Sequence, residues 1–363
     1  MQKNIAVIHG DGIGKEIIEQ ACRILDKVAT IYNHKFIFNE LLAGGCAIDK
    51  YGECLPNKTL ESCKRSDSIL LGAVGGPKWD HLPSEERPES ALLRLRKGLG
   101  LFANIRPATL LQELRESSPL KDSILDKGID FIIVRELIGG IYFGEHKVEH
   151  INGEKIASDS MTYSASQIES IAKVAFDIAR NREKKIICVD KANVLSSSRL
   201  WREVVENVAK QYSDVELSFM YVDNAAMQIC REPSQFDVIL TENMFGDILS
   251  DEASVITGTI GIIPSASLSN SKDLANNFGM YEPIHGSAPD IANQNKANPI
   301  GAILSASMML DISFNLKIES ESIMRAVQKT LQAGLRTGDM LSPNTKLISC
   351  SEMGDRIYHN LHK

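Results

Sequence analysis

The sequence predicts an α/β fold, and three observations lead to it. Short, continuously apolar runs recur along the chain; helical periodicities fall between them; and 363 residues suffice for about two domains of ordinary size. The first run, Ile5-Ala6-Val7-Ile8, reads as a buried strand, followed by a glycine-rich turn and an amphipathic helix near Lys15 to Ala29. Ile69-Leu70-Leu71, Phe131-Ile132-Ile133-Val134, Ile186-Ile187-Cys188-Val189 and Val238-Ile239-Leu240 repeat the pattern. Runs without polar alternation suit a sheet covered on both faces. Val215 to Tyr221 alternates instead, with Val215, Leu217, Phe219 and Tyr221 on one side, as in a half-exposed strand. A stripe of Ile168, Ile171, Ala172, Ala175 and Ile178 predicts a helix over Ser166 to Arg180. Ser164 and Gln167 have capping-box spacing at its start. Asn298-Pro299 opens a further helix to about Leu310, and a last one spans Ser320 to Arg336. Strands alternating with helices argue for α/β.

Composition narrows the class. The 47 acidic against 40 basic side chains give a net charge of −7, without the basic footprint of a nucleic-acid binder or an affinity for anionic membranes. An anionic substrate therefore needs a local cluster of cations. Seven cysteines form no C-x-x-C pair, so reduced thiols in a cytoplasmic protein are expected. There is no signal-peptide core. The longest weakly charged run, Ala253 to Leu268, is broken by Gly258, Gly261 and Pro264, so no membrane span is expected.

Several constellations could carry chemistry. Gly10-Asp11-Gly12-Ile13-Gly14 lies between strand and helix, but its G-x-G-x-G spacing is not the Rossmann fingerprint. On a helix, Glu89, Leu92, Leu93 and Arg96 share one face. Arg96, Arg106 and Arg135 stand at element ends, and each guanidinium offers a planar fork for a carboxylate. Asp247 and Asp251 are four residues apart, so on a helix their carboxylates point the same way, and Asp223 ends the strand at Tyr221-Val222. Three hard oxygen ligands suit Mg²⁺ or Mn²⁺ rather than zinc. Tyr142 sits in the glycine-flanked Gly139–Gly144, and Lys191 follows a strand at the end where open α/β sheets place ligands. A cationic neighbour there would lower the Lys191 pKa and permit base behaviour. Glu282 to Asp290, with Asn298 beyond it, reads as a polar, turn-rich loop fit to shape a small-ligand site. Taken singly, the aspartate pair reads about equally well as solvated surface, and for the arginines, Tyr142 and Lys191 a surface or packing role is the commoner reading.

Together the segments resemble the β-decarboxylating (isocitrate/isopropylmalate) dehydrogenase family. The markers are Leu95-Arg96-Lys97, Leu101 to Pro107, Val134-Arg135-Glu136-Leu137 with Gly139–Gly144, Asp190 to Leu195, Tyr221 to Gln228, Asn243 to Glu252 and Glu282 to Asp290. The resemblance implies that family's two-domain α/β fold, not a Rossmann fold. Residues 1–101 and 255–363 would form a terminal, mainly cofactor-binding domain. Residues 102–254 would be an inserted domain with the substrate and metal residues and the dimer interface. Carried over by position, Arg96, Arg106 and Arg135 become the clamp on the substrate's carboxylates. Tyr142 and Lys191 become the proton-transfer pair, and Asp223, Asp247 and Asp251 the ligands of Mg²⁺ or Mn²⁺, with Asp223 also touching substrate. Leu92, Leu93 and Val194 would line an isopropyl pocket. Glu89, His285, Gly286, Ser287, Ala288, Pro289, Asp290 and Asn298 would hold the cofactor. Asp290 favours NAD over NADP, since its charge repels a 2′-phosphate. The Asn-rich turn Ala292 to Asn298 departs from the family pattern and leaves the fine contacts to the adenosine open. A homodimer with shared active sites is implied, Lys191 and Asp223 coming from the partner subunit. The implied reaction is NAD-dependent oxidative decarboxylation of 3-isopropylmalate to 4-methyl-2-oxopentanoate and CO₂, in leucine biosynthesis. The apolar Leu92-Leu93 face argues against isocitrate, D-malate and tartrate. Retention of the tyrosine, the lysine and the aspartates argues against a non-catalytic regulatory subunit.

Overall fold

A computed structural model describes residues 1–269 and 277–363. The chain divides into two compact units. The first comprises residues 1–101, 110–119 and 254–363, the second residues 102–109 and 120–253.

In chain order the first unit begins with β1 (Gln2–Gly10), α1 (Gly14–Tyr32), β2 (Lys35–Leu41), α2 (Gly45–Tyr51), α3 (Asn57–Lys64), β3 (Ser68–Ala73) and α4 (Pro88–Gly98). The second unit holds β4 (Ala103–Thr109), α5 (Asp122–Leu125), β5 (Asp130–Glu136), β6 (His146–Ile151), β7 (Glu154–Asp159), α6 (Ala165–Arg180), β8 (Lys185–Asp190), α7 (Ser196–Ala209), β9 (Glu216–Tyr221), α8 (Val222–Arg231) and β10 (Val238–Thr241). Helix α9 (Asn243–Ile256) leads out of it. The chain then returns to the first unit through β11 (Pro264–Leu268), β12 (Gly279–Pro283), α10 (Ile300–Ile312), α11 (Lys317–Gln332), β13 (Leu335–Arg336), β14 (Lys346–Leu347) and α12 (Cys350–Asn360).

Within the first unit the strands run in the order β2-β1-β3-β12-β11, parallel except for β11. Every residue of β3 is buried, as a strand covered on both faces requires. Helix α10 is buried nearly all round, among β11, β12, α1 and α11, which is why its sequence shows no polar face. The helix starts at Ile300, one residue later than the Asn298-Pro299 pair suggests, with Pro299 at the cap position; Asn298 Oδ1 still accepts the Ile300 N–H at 3.0 Å. The last long helix begins three residues earlier than expected and stops at Gln332, because Gly334 (φ +74°) turns the chain into β13.

Within the second unit the order is β4-β5-β10-β8-β9, with β4 antiparallel to β5 and the rest parallel. The capping box at Ser164 and Gln167 is present and starts α6. Strand β9 is half-exposed and, among the described residues, pairs only with β8. The hairpin β6–β7 is exposed along its whole length, so it shows no burial periodicity. Its turn, Asn152-Gly153, has both residues at positive φ (53° and 85°), the Asn-Gly signature of a tight hairpin. All seven cysteines are free. Among the described residues no helix is long and apolar enough to cross a membrane.

Candidate functional site

In the second unit, register brings the functional residues to one edge of the sheet. Thr241 of β10 pairs with Arg135 of β5 on one side and Val189 of β8 on the other. The carboxyl ends of three parallel strands are therefore level, and Arg135, Lys191 and Asn243 emerge together, where open α/β sheets bind ligands. On antiparallel β4, Asn104 lies opposite Arg135, and Arg106 shares its face.

Arg106 and Arg135 converge on Asp247 of α9. Arg106 Nη1 lies 3.4 Å from Asp247 Oδ1, and Arg135 Nη1 donates to the same oxygen. Arg135 is 2% exposed. Its Nε and Nη2 donate to Asn243 Oδ1 at 3.0 and 2.8 Å, which fixes the fork. Gly246 makes room for it, since a Cβ there would lie 2.7 Å from Arg135 Cγ. The Tyr142 hydroxyl donates to Asp247 Oδ2 at 3.3 Å. Desolvation raises the Tyr142 pKa above that of an ordinary phenol, Asp247 adds to the rise, and Arg135 opposes it. Asp251 follows one turn after Asp247. Desolvation raises its carboxyl, chiefly against the pull of Arg106.

Lys191 has a carboxylate as its partner in this structure. Its Nζ donates to Asp223 Oδ1 at 2.7 Å, and this hydrogen bond holds the Asp223 carboxyl below its ordinary range. Asp223 lies in the first turn of α8, not at the end of a strand, where its charge complements the helix start. Asp190 ↔ Tyr221 pairing in β8–β9 sets the two residues side by side. The Lys191 backbone is anchored by Ser198 Oγ (3.1 Å), and its neighbour Asp190 is gripped by Arg202 (2.6 Å). Among the described residues no three His, Cys, Asp or Glu side chains are gathered as a metal cage. Asp247 and Asp251 offer a pair of hard oxygen donors on one helix face, and Asp223 stands beside Lys191. Val194 is 63% exposed.

Arg96 belongs to the first unit, on α4, with its Nη2 3.1 Å from Glu282 Oε1. Both side chains are buried, and Arg96 Nε has no partner among the described residues. Glu282 and Pro283 are the last residues of β12 rather than part of a loop. Leu92 packs against the apolar cluster containing Ala91 and Leu95, whereas Leu93 is half-buried and outside it. Glu89 is exposed, and its carboxylate lies against Gly75.

The first unit also holds a cavity of about 490 Å³ lined by His285, Gly286, Ala288 and Asn298, with Lys296 and Asp339. Ser287, Pro289 and Asp290 do not line it. Ser287 instead ties this loop to the glycine-rich turn: its carbonyl accepts the Ile13 N–H at 2.8 Å. A Cβ on Gly12 (φ +58°) would fall 1.9 Å from that carbonyl, which explains the glycine. Asp290 is exposed. His285 Nε2 is buried without a partner among the described residues, and burial pushes the ring's pKa down, so the imidazole is neutral and able to bond a ligand. These features fit the adenosine end of a dinucleotide.

Sequence reasoning passed over two carboxylates here. Asp339 gathers the Thr259 and Thr337 hydroxyls and the Asn298 amide at 2.5–2.9 Å, and no local motif betrays it. Asp11 accepts the N–H groups of Gly45, Cys46 and Gly75 at 2.7–2.9 Å. Its place between Gly10 and Gly12 was a signal of a buried carboxylate organising loops.

Glu136, directly after Arg135, is wholly buried, and burial pushes its carboxyl up from 4.5 to about 7. The folded protein therefore holds a proton there that the unfolded chain has released, so stability should fall as pH rises from about 4.5 to about 7. Thermal unfolding checks this: Tm should be higher at pH 5 than at pH 8 in wild type, and the slope should flatten in Glu136→Gln.

A profile of the isocitrate/isopropylmalate dehydrogenase family matches residues 4–357. The chain is 73% identical over 361 residues to the 3-isopropylmalate dehydrogenase of Helicobacter hepaticus, covering 99% of this chain and 100% of that one. It is 57% identical over 357 residues to the enzyme of the same name from Clostridium acetobutylicum, covering 98% and 99%. Among solved structures, an isocitrate dehydrogenase from Methylococcus capsulatus superposes with a TM-score of 0.86 at 30% identity, covering 99% of this chain and 100% of that one. A β-decarboxylating dehydrogenase from Thermococcus kodakarensis does so with a TM-score of 0.79 at 35% identity, covering 99% and 96%.

Proposed function

The chain belongs to the isocitrate/isopropylmalate dehydrogenase family, and on that premise we propose that it catalyses the NAD-dependent oxidative decarboxylation of 3-isopropylmalate to 4-methyl-2-oxopentanoate and CO₂, in leucine biosynthesis. The observation that carries this reading is the convergence of Arg106, Arg135 and Tyr142 on Asp247, in the unit where Lys191 pairs with Asp223. Two guanidiniums, a phenol, an amine and acidic oxygens are the groups that an anionic hydroxy acid, its proton transfers and a divalent cation require.

Asp247 and Asp251, with Asp223 of a second copy, would hold Mg²⁺ or Mn²⁺. The His285 loop and Asn298, with Glu89 and Asp290, would hold NAD. Bound there, the cation supplies Lewis-acid polarisation of the substrate hydroxyl and the nicotinamide supplies a hydride acceptor. The rest falls to the chain's own side chains. Arg96, Arg106 and Arg135 grip the carboxylates and fix the substrate's orientation. Lys191 receives the hydroxyl proton, directly or through Asp223 and water. After CO₂ departs, Tyr142 returns a proton to the carbon left behind.

A homodimer with shared sites completes the reading. Tyr221, Met227 and Ile248 around α8 and α9, and Val148, Ile151 and Ile156 on the hairpin, are exposed apolar side chains of the kind a partner covers. Free cysteines suit a reducing cytoplasm.

Substrate choice is tested at Leu93, because Leu92 is also a packing residue and its loss confounds stability with specificity. Losing apolar wall from a side-chain pocket costs about 1–3 kcal/mol, so Leu93→Ser should lower kcat/KM for 3-isopropylmalate by about 10- to 100-fold. D-malate, which lacks the isopropyl group, should lose far less. Equal losses on both substrates would remove Leu93 from the pocket.

A further inference from the structure

Behind the residues assigned to chemistry lies a buried polar cluster of three side chains from three elements. Glu136 ends β5, Tyr163 precedes α6 and Glu242 precedes α9; they are 0%, 8% and 3% exposed. Two neighbouring carboxylates in a core are costly, and apolar side chains of similar volume would often serve stability as well. Burial holds both carboxyls above their ordinary range and also raises the Tyr163 phenol, to which the charges of Glu242 and Glu136 add.

Their hydrogen bonds go to two backbone segments. Glu136 accepts the N–H groups of Ile138 and Gly139, both at 2.9 Å. Glu242 accepts those of Met244 and Phe245, at 3.2 and 2.9 Å. The Tyr163 hydroxyl donates to Glu242 Oε2 at 3.1 Å and accepts the Asn243 N–H at 3.0 Å. Asn243 Nδ2 closes the circuit on the Gly139 carbonyl at 3.1 Å. The first segment lies directly on the tyrosine ring: a Cβ on Gly139 would fall 2.5 Å from Tyr163 Cε1, and one on Gly140 2.4 Å from its hydroxyl. Two residues beyond Gly140 stands Tyr142, and one helical turn beyond Asn243 stands Asp247, whose carboxylate receives the Tyr142 hydroxyl.

We propose that Tyr163, Glu136 and Glu242 form a positioning clamp that fixes the Tyr142 loop against the first turn of α9, so that proton donor and acidic ligands hold one mutual geometry during the reaction. The three side chains act through Tyr142 and Asp247 and touch neither substrate nor cofactor. The proposal rests on the reading of Tyr142 as proton donor. Buried polar groups satisfied by backbone are directional where apolar contacts are not, and a displacement of about 1 Å at the reacting groups can cost on the order of 100-fold in rate.

Tyr163→Phe removes only the hydroxyl and keeps the ring under the glycines and its edge contact with Trp201. With 3-isopropylmalate, kcat should fall about 10- to 100-fold while KM holds, and the loss should vanish in a Tyr142→Phe background. A Tyr163→Phe loss of the same size in both backgrounds overturns the proposal. Amide exchange read by mass spectrometry supplies a measure independent of turnover. Residues 138–144 and 243–247 should both exchange faster in Tyr163→Phe, and unchanged protection in both overturns the clamp. Should Tyr163→Phe not fold, Glu242→Gln is read by the same two measurements with the same expectations. A wild-type protein that does not turn over 3-isopropylmalate would strike the functional reading alone, with exchange still deciding the clamp.

Discussion

Lys191→Ala should lower kcat by about 10²- to 10⁴-fold, the range a positioned general base contributes, and leave the fold intact. The stability side follows from exposure. The partner of Lys191, Asp223, is 63% exposed, and such ion pairs contribute about 0–1 kcal/mol. Unchanged far-ultraviolet dichroism and Tm beside a collapsed kcat is the expected pair of results. The same variant tests the shared site. Mixed with the slowed Tyr142→Phe dimers under conditions of subunit exchange, it should recover activity above that of either parent, because one site of each heterodimer then holds both Tyr142 and Lys191. Confirmed exchange without recovery would place the two residues on one chain.

Arg135→Met should strike both activity and stability. Truncating one partner of a buried, hydrogen-bonded charge pair costs about 2–5 kcal/mol, which in kcat/KM is about 30- to 4,000-fold. The side chain is 2% exposed and gives two hydrogen bonds to Asn243 Oδ1 and one to Asp247. Its removal takes both donations from the buried Asn243 oxygen, so Tm should also fall. Arg106→Met removes the 3.4 Å contact to Asp247 and the 2.6 Å donation from Arg106 Nε to Asn104 Oδ1, so kcat/KM should fall and Tm with it. A lower Tm at unchanged kcat/KM would make Arg135 a structural residue only.

What the sequence made legible follows from how local each signal is. The buried strands declared themselves because parallel strands covered on both faces need no polar alternation, and α6 did so through stripe and capping box. Strand β4 escaped notice because its buried positions include Asn104 and Arg106, polar groups that belong to the site rather than the core. The β6–β7 hairpin escaped because both its faces are exposed, though its Asn-Gly turn was there to be read. The candidate site was legible only as a set. Arg106, Arg135 and Tyr142 are scattered in sequence, and what brings them to Asp247 is strand register, which no local pattern encodes. Asp339 and the Tyr163 cluster went unseen for the same reason: their partners lie on other elements.

On the proposed function, one chain type couples hydride transfer to loss of CO₂ from 3-isopropylmalate. The most direct test of this coupling measures NADH and CO₂ together in a reaction of the purified protein with 3-isopropylmalate, NAD and Mg²⁺, with and without EDTA. Equal amounts of the two products, formed at the same rate and abolished by EDTA, are the expected result. NADH without CO₂, turnover indifferent to EDTA, or no NADH at all would contradict it.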